Sequence, residues 1–233
     1  MSYVAVIPAR GGSKRIPRKN IRLFLGKPMI AYSIQAALDT GLFDRVIVST
    51  DDEEIADIAQ AHGADVPFLR SQELSNDQAG LGEVMSHSVQ WMKDNDYNPL
   101  AVCCILATAP FIQTQDIHRG LSVLQDGNWQ YVFSATSAGF SVYRSFYKNE
   151  SQGLSMVFPE HYKARSQDLP DVTYDAGQFY WARPQAWLEE KKVFEPWSTV
   201  IELPRWRVQD IDTLEDWQRA EVIMKLFLDN GQE

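Results

Sequence analysis

A chain of 233 residues with 45% hydrophobic and 23% charged side chains has the length and composition of one soluble α/β domain with a buried core. Its net charge of −9 argues against non-specific nucleic-acid binding. No apolar run is long enough to span a bilayer and the chain opens on a strand without a signal-peptide pattern, so a cytoplasmic protein is expected.

Val4-Ala5-Val6-Ile7 reads as a strand buried on both faces, as in a parallel sheet, with Pro8 ending its ladder. Gly11-Gly12 follows as a loop whose backbone N–H groups can approach an anion without interference from Cβ. Arg10, Lys14, Arg15, Arg18 and Lys19 then place five cations within ten residues of an acidic chain. Most charge clusters are solvated turns. Joined to a buried first strand and two adjacent glycines, this one reads as a polyphosphate site, with Arg15 turned to solvent. It is neither a Walker A loop nor G-x-G-x-x-G.

Pro28 suits the first turn of a helix carrying Ile30, Ile34, Ala37 and Leu38, which Gly41 ends. Val46-Ile47-Val48 is a second buried strand running into Ser49-Thr50-Asp51-Asp52, an N-cap cluster for a helix with Ile55, Ile58 and Ala59, closed by Gly63. Val66 to Leu69 is expected as a short third strand, and residues 70–82 as a polar loop leading into a helix from about Glu83 to Asp94. Ala101 to Leu106 is the next buried strand; its Cys103 and Cys104 are expected as reduced core residues. Thr114 is expected to cap a helix ending near Gly127, and Tyr131 to Ala135 to form a further strand. From about 140 to 170 the pattern loses its period, with Arg144, Lys148, Lys163 and Arg165 among aromatic residues; this is an excursion that returns to the sheet at Gly177 to Trp181. Asp210 to Asp216 is expected as a strand end feeding a helix to about Leu228.

Strands alternating with helices predict a doubly wound, mostly parallel sheet in one domain over 1–233. Ligands of such sheets bind beyond the carboxyl ends of the strands. The loop after the first strand, the Thr50-Asp51-Asp52 turn and Ala107-Thr108-Ala109-Pro110-Phe111 therefore open onto one edge. Asp210-x-Asp212 on a strand would aim two carboxylates at one divalent cation. Equally, Asp212 would serve as N-cap of the last helix, paired with Glu215. His62, His87, His118 and His161 are scattered, and no nucleophile–base arrangement stands out, which favours direct displacement.

I-P-A-R-G-G-S-K-R-I-P-x-K-N resembles the signature loop of the CMP-sialic acid synthetase family, cytidylyltransferases that activate nine-carbon acidic sugars. Nearly the whole chain shares the likeness. Arg70-x-x-Glu73-Leu74-Ser75-x-Asp77 is similar to the family loop that encloses cytidine. Two departures point to the pseudaminic branch: Ala107 stands where sialic-acid enzymes have glutamine, and Asp175-Ala176-Gly177-Gln178 replaces their asparagine-bearing run. The resemblance implies a Rossmann-like, three-layer α/β/α nucleotidyltransferase in which the excursion is a dimerisation arm. It implies transfer of CMP from CTP to pseudaminic acid, with pyrophosphate released, for flagellin or surface-glycan modification. N-acetylneuraminic or legionaminic acid is the alternative substrate, and a nucleotide-binding regulator without turnover is the alternative class.

The same resemblance assigns Arg10, Lys19 and Asp212 to catalysis. It assigns CTP to Ala9, Arg10, Gly11, Gly12, Ser13, Lys19, Asn20, Arg70, Asp77, Ala107 and Thr108. The sugar falls to Arg165, Gln178 and Tyr180, with Arg165 reaching its carboxylate from a second subunit of a homodimer. Asp210 and Asp212 are implied to hold Mg²⁺, or Mn²⁺ in its place. No residue stands out as general base.

Overall fold

The computed structural model describes residues 2–76 and 78–229. Strand β1 (Tyr3–Ala9) is followed by the basic loop and a two-stranded ribbon, β2 (Leu23–Phe24) and β3 (Lys27–Pro28). Then come α1 (Met29–Asp39), β4 (Arg45–Thr50), α2 (Glu53–Ala61), α3 (Leu81–Asp94), β5 (Ala101–Ile105), α4 (Thr114–Asp126) and β6 (Tyr131–Ser137). The excursion carries a small hairpin, β7 (Phe146–Lys148) and β8 (Leu154–Met156). It returns as β9 (Thr173–Ala182), followed by α5 (Pro184–Leu188), β10 (Ser198–Glu202) and α6 (Leu214–Asp229).

The main sheet has six strands in the order β10-β6-β9-β5-β1-β4. It is the expected doubly wound, mostly parallel sheet. β1 pairs in parallel with β4 and β5, and β6 with β10, while β9 alone runs antiparallel to its neighbours β5 and β6. The excursion explains the reversal. It leaves and re-enters at the same edge without a crossover helix, so the returning strand must run backwards. Ala5 and Ile7 pack into one apolar layer and Val4 and Val6 into the other, as a strand covered on both faces requires.

Four local expectations are corrected. Pro8 does not end the first strand, which pairs on through Pro8↔Ser49 and Ala9↔Thr50. The ladder with β5 stops at Val6, so Pro8 has a strand on one side only and its missing N–H is tolerated. Residues 66–69 form no strand; only isolated bridges Ile47↔Asp65 and Thr50↔Leu69 flank β4, because Pro67 interrupts the ladder. Thr114 is the first residue of α4 and Gln113 its N-cap. Asp210 to Asp212 belong to no strand but to an irregular segment between a 3₁₀ turn (Arg205–Arg207) and α6. Sequence reading also passes over α5 and β10, although Thr199-Val200-Ile201 is a β-branched run lying between Pro196 and Pro204.

Helix α4 lies close to β9. A Cβ on Gly120 would stand 2.8 Å from ring atoms of both Phe179 and Trp181. The Trp181 indole also donates to the Ile117 carbonyl at 2.9 Å, which holds the ring beneath the helix. Gly120→Ala is therefore expected to destabilise the fold by about 1–3 kcal/mol, despite alanine's better helix propensity, because two buried rings must shift. Urea unfolding would measure this, and equal or greater stability of the variant would contradict it.

Candidate active site

The carboxyl ends of β1, β4 and β5 meet at one edge of the sheet, as their parallel pairing dictates. There a cleft of about 200 Å³ is lined by Arg10, Ser13, Lys14, Arg15 and Lys19 of the basic loop, with Ala107 and Thr108 opposite. A second recess of about 270 Å³ shares Pro8, Arg10 and Leu106 with it and continues along Arg70, Leu74, Gly80 and Leu81. Its mixed lining, with Pro8, Leu74, Leu81 and Leu106 beside Arg10 and Arg70, has the shape and chemistry to take a flat polar ring next to the basic loop.

The loop is shaped by anchors at both ends. The side-chain amide of Asn20, which is buried, donates to the Arg10 carbonyl at 2.9 Å and closes the loop on itself. The Gly11 N–H donates to Asp51 Oδ1 at 3.0 Å. A Cβ on Gly11 would lie 2.6 Å from Asp52 Oδ2 and push that carboxylate aside, so close approach favours glycine there, whereas Gly12 meets open space. Ile16, 1% exposed, packs with Phe24, Phe111, Trp217 and Ile211, the last 2% exposed. Burying one such isoleucine is worth about 1.5–3 kcal/mol. This cluster brings the basic loop and the acidic segment together, though they lie at opposite ends of the chain.

Because Ile211 points inward, Asp210 and Asp212 flank it, and the cations meet Asp212 directly. Lys19 Nζ donates to the Ile211 carbonyl at 2.7 Å and to Asp212 Oδ1 at 3.4 Å. Arg15, expected in solvent, is mostly exposed yet pairs with Asp212 Oδ2 at 2.7 Å. Asp212 is not the cap of α6. Thr213 and Asp216 make the reciprocal pair, Asp216 N–H to Thr213 Oγ1 at 3.2 Å and Thr213 N–H to Asp216 Oδ2 at 2.9 Å. The Asp212 carboxylate is thus left facing the loop. Burial, and then the neighbouring Asp212 charge, push the Asp210 carboxyl above its ordinary range. Two oxygen donors that repel each other fit a magnesium-like cation, which takes one or two carboxylates and completes its shell with phosphate oxygens and water. Among the described residues no three His, Cys, Asp or Glu side chains form a metal-binding group.

The edge thus sets a basic, glycine-bearing loop against an acidic pair. The family model described as Cytidylyltransferase matches residues 4–166, most of the chain. The chain belongs to the cytidylyltransferase family. It is 43% identical over 97% of its length to the pseudaminic acid cytidylyltransferase of Campylobacter jejuni serotype O:2, itself covered to 97%. It is 34% identical to the CMP-N,N'-diacetyllegionaminic acid synthase of Legionella pneumophila, with 97% of each chain covered. Its fold matches a solved CMP:2-keto-3-deoxy-manno-octonic acid synthetase complexed with CTP, with a TM-score of 0.70, 19% identity, and coverage of 97% of this chain and 99% of the other.

The remaining residues assigned from sequence are spread around this cytidylyltransferase edge. Ala9 ends β1 at the root of the loop. Arg70 is buried, with one guanidinium nitrogen 3.6 Å from Asp51 Oδ1, and burial lowers its pKa. Asp77 lies outside the described residues. Gln178 is buried and its backbone carbonyl accepts from the Leu106 N–H at 2.9 Å; its amide nitrogen donates to the Arg207 carbonyl at 2.7 Å, and its side-chain oxygen has no hydrogen-bond partner among the described residues. Tyr180 stacks on Phe133, and its hydroxyl donates to Asp175. Arg165 stands apart on the excursion, paired with Asp168 at 2.7 Å and largely exposed. Ala107 and Ala176 both pack in the apolar core, and of the two only Ala107 also lines the cleft.

Asp51 and Asp52, expected at this edge only as part of a helix N-cap cluster, in fact hold both ends of the basic loop. The signal available was two acids directly after a buried strand, opposite a basic loop. Cys103 and Cys104 are free and buried, as expected, and burial raises both thiol pKa values.

Proposed function

We propose that this cytidylyltransferase activates pseudaminic acid with CTP, forming CMP-pseudaminic acid and pyrophosphate. The meeting of Lys19 with Asp212 at the cleft carries the reading, since it sets a basic polyphosphate loop against a carboxylate pair. The anomeric hydroxyl oxygen of the sugar bonds to the α-phosphorus as the bond to the β-phosphate oxygen breaks, and the hydroxyl proton is released to solvent. Arg10 and Lys19 then sit where charge grows on departing pyrophosphate. The loop holds the triphosphate in line, and the recess along Arg70 to Leu81 receives the cytidine. Asp210 and Asp212 would hold Mg²⁺, which neutralises phosphate charge when bound.

A homodimer formed through residues 140–170 goes with this reading. The excursion exposes Phe140, Phe146, Leu154 and Tyr162, an apolar surface that suits a second copy, and it would place Arg165 near the partner's cleft. No helix among the described residues is long and apolar enough to cross a membrane. The cytoplasmic setting rests on reduced, buried cysteines.

The test is pyrophosphate release with CTP against pseudaminic, legionaminic and N-acetylneuraminic acids. CTP should be used well and ATP or GTP poorly, and EDTA should abolish turnover until Mg²⁺ or Mn²⁺ is restored. Asp212→Asn should raise the metal concentration needed for half-maximal rate by about tenfold or more with little change in melting temperature, because Thr213 and Asp216 keep the helix cap. A lowered melting temperature with unchanged metal demand would return Asp212 to a structural role. A chain that binds CTP but releases no pyrophosphate with any of these sugars would be a regulator.

A further inference from the structure

The pair Asp52 and Arg18 has no place in the reaction described so far. Arg18 does not line the cleft. Its guanidinium reaches the start of α2, Nη2 donating to Asp52 Oδ1 at 2.9 Å and the fork also engaging Asp52 Oδ2 and Glu54. Two acids neutralise it, so it adds little attraction for a phosphate. The same Asp52 carboxylate caps α2, accepting from the Ile55 N–H at 3.0 Å. Its pKa is lowered, first by the Arg18 hydrogen bonds.

The backbone points the same way. Arg18 has φ of +56°, the left-handed region that glycine or asparagine enters with less strain. Its carbonyl accepts from the N–H groups of Ile21 at 3.0 Å and Arg22 at 2.9 Å, a tight turn that sets the direction of Lys19 and Asn20. An arginine held in that conformation is explained by what its side chain grips. At the other end of the loop, Gly11 is held to Asp51 and lies so close to Asp52 that a Cβ there would displace the Asp52 carboxylate.

We infer that Asp52 and Arg18 form a clamp that fixes the basic loop in its nucleotide-receiving shape, both acting as positioning residues that do not touch substrate. The entry at Gly11 and the exit at Arg18 are tied to neighbouring carboxylates at the start of α2. The intervening Ser13, Lys14 and Arg15 are thereby presented to the cleft, and Lys19 is aimed at Asp212. The inference rests on the reading of this loop as the CTP site.

Two substitutions release the clamp while sparing the fold. Arg18→Gly removes the guanidinium and relaxes the left-handed turn. Asp52→Asn removes the charge and keeps an N-cap side chain. Each is expected to raise KM for CTP about tenfold while changing kcat less than about threefold, since the loss falls on loop order before reaction. The double variant should be no worse than either single one, because both remove one interaction. Arg18→Lys should recover much of the loss. Amide exchange over residues 11–20 should quicken about tenfold in both single variants, with residues 4–7 unchanged. Wild-type KM and wild-type exchange in both variants, or effects that add in the double variant, would overturn the clamp. If the wild type fails to turn over CTP, the functional reading falls, and the exchange measurement still decides the clamp.

Discussion

Lys19→Ala is expected to lower kcat by about 10²-fold or more, the scale of losing one donor to charge that develops in a transition state. Lys19 is well placed for such a role. Its ammonium is mostly buried and held between the Ile211 carbonyl and Asp212, at the junction of the basic loop and the acidic segment. Burial strengthens its field at the cleft, and the fixed position avoids reorganisation during reaction. The fold should survive, because the apolar cluster joining these segments is built from Ile16, Phe24, Ile211 and Trp217 and does not include Lys19. The check is steady-state pyrophosphate release beside a thermal melt. A well-folded variant with near-normal kcat would remove Lys19 from the catalytic set.

The choice of sugar should show an effect of similar size. The wild type is expected to favour pseudaminic acid over N-acetylneuraminic acid by about 10²-fold in kcat/KM. Ala107 is buried in the wall of the cleft, where a glutamine would offer an amide to a hydroxyl-rich sugar tail. A buried polar group left without a partner costs about 1–3 kcal/mol, which is enough for discrimination on that scale. Ala107→Gln should narrow the gap chiefly by harming pseudaminic acid turnover, because added bulk clashes more readily than it makes a good hydrogen bond. Ala176, although it too departs from the sialic-acid pattern, is packed in the core and should act only through β9. Equal or better use of N-acetylneuraminic acid by the wild type would show that Ala107 does not set the choice. The cytidylyltransferase assignment would survive that result.

Much of this molecule is legible from local pattern. Strands buried on both faces, glycines and acids at helix ends, and a cationic loop after the first strand each carry their meaning within a few neighbouring residues. They suffice for a doubly wound sheet with a cationic loop at its carboxyl edge. The 66–69 segment and Pro8 were misjudged because a proline's effect depends on which side of the strand has a partner, and that is a property of the sheet. β10 was missed at a sheet edge, where half-buried residues blur the apolar signal. The role of Asp212 could not be read locally either, since Asp-Ile-Asp-Thr fits a helix cap and a cation site equally well. Packing removed the cap reading: Thr213 and Asp216 took the cap, and burial of Ile16 against Ile211 brought Lys19 and Arg15 to Asp212. The hydrophobic effect joins surfaces without regard to separation along the chain, so which charges meet across that contact was decided only by the folded core.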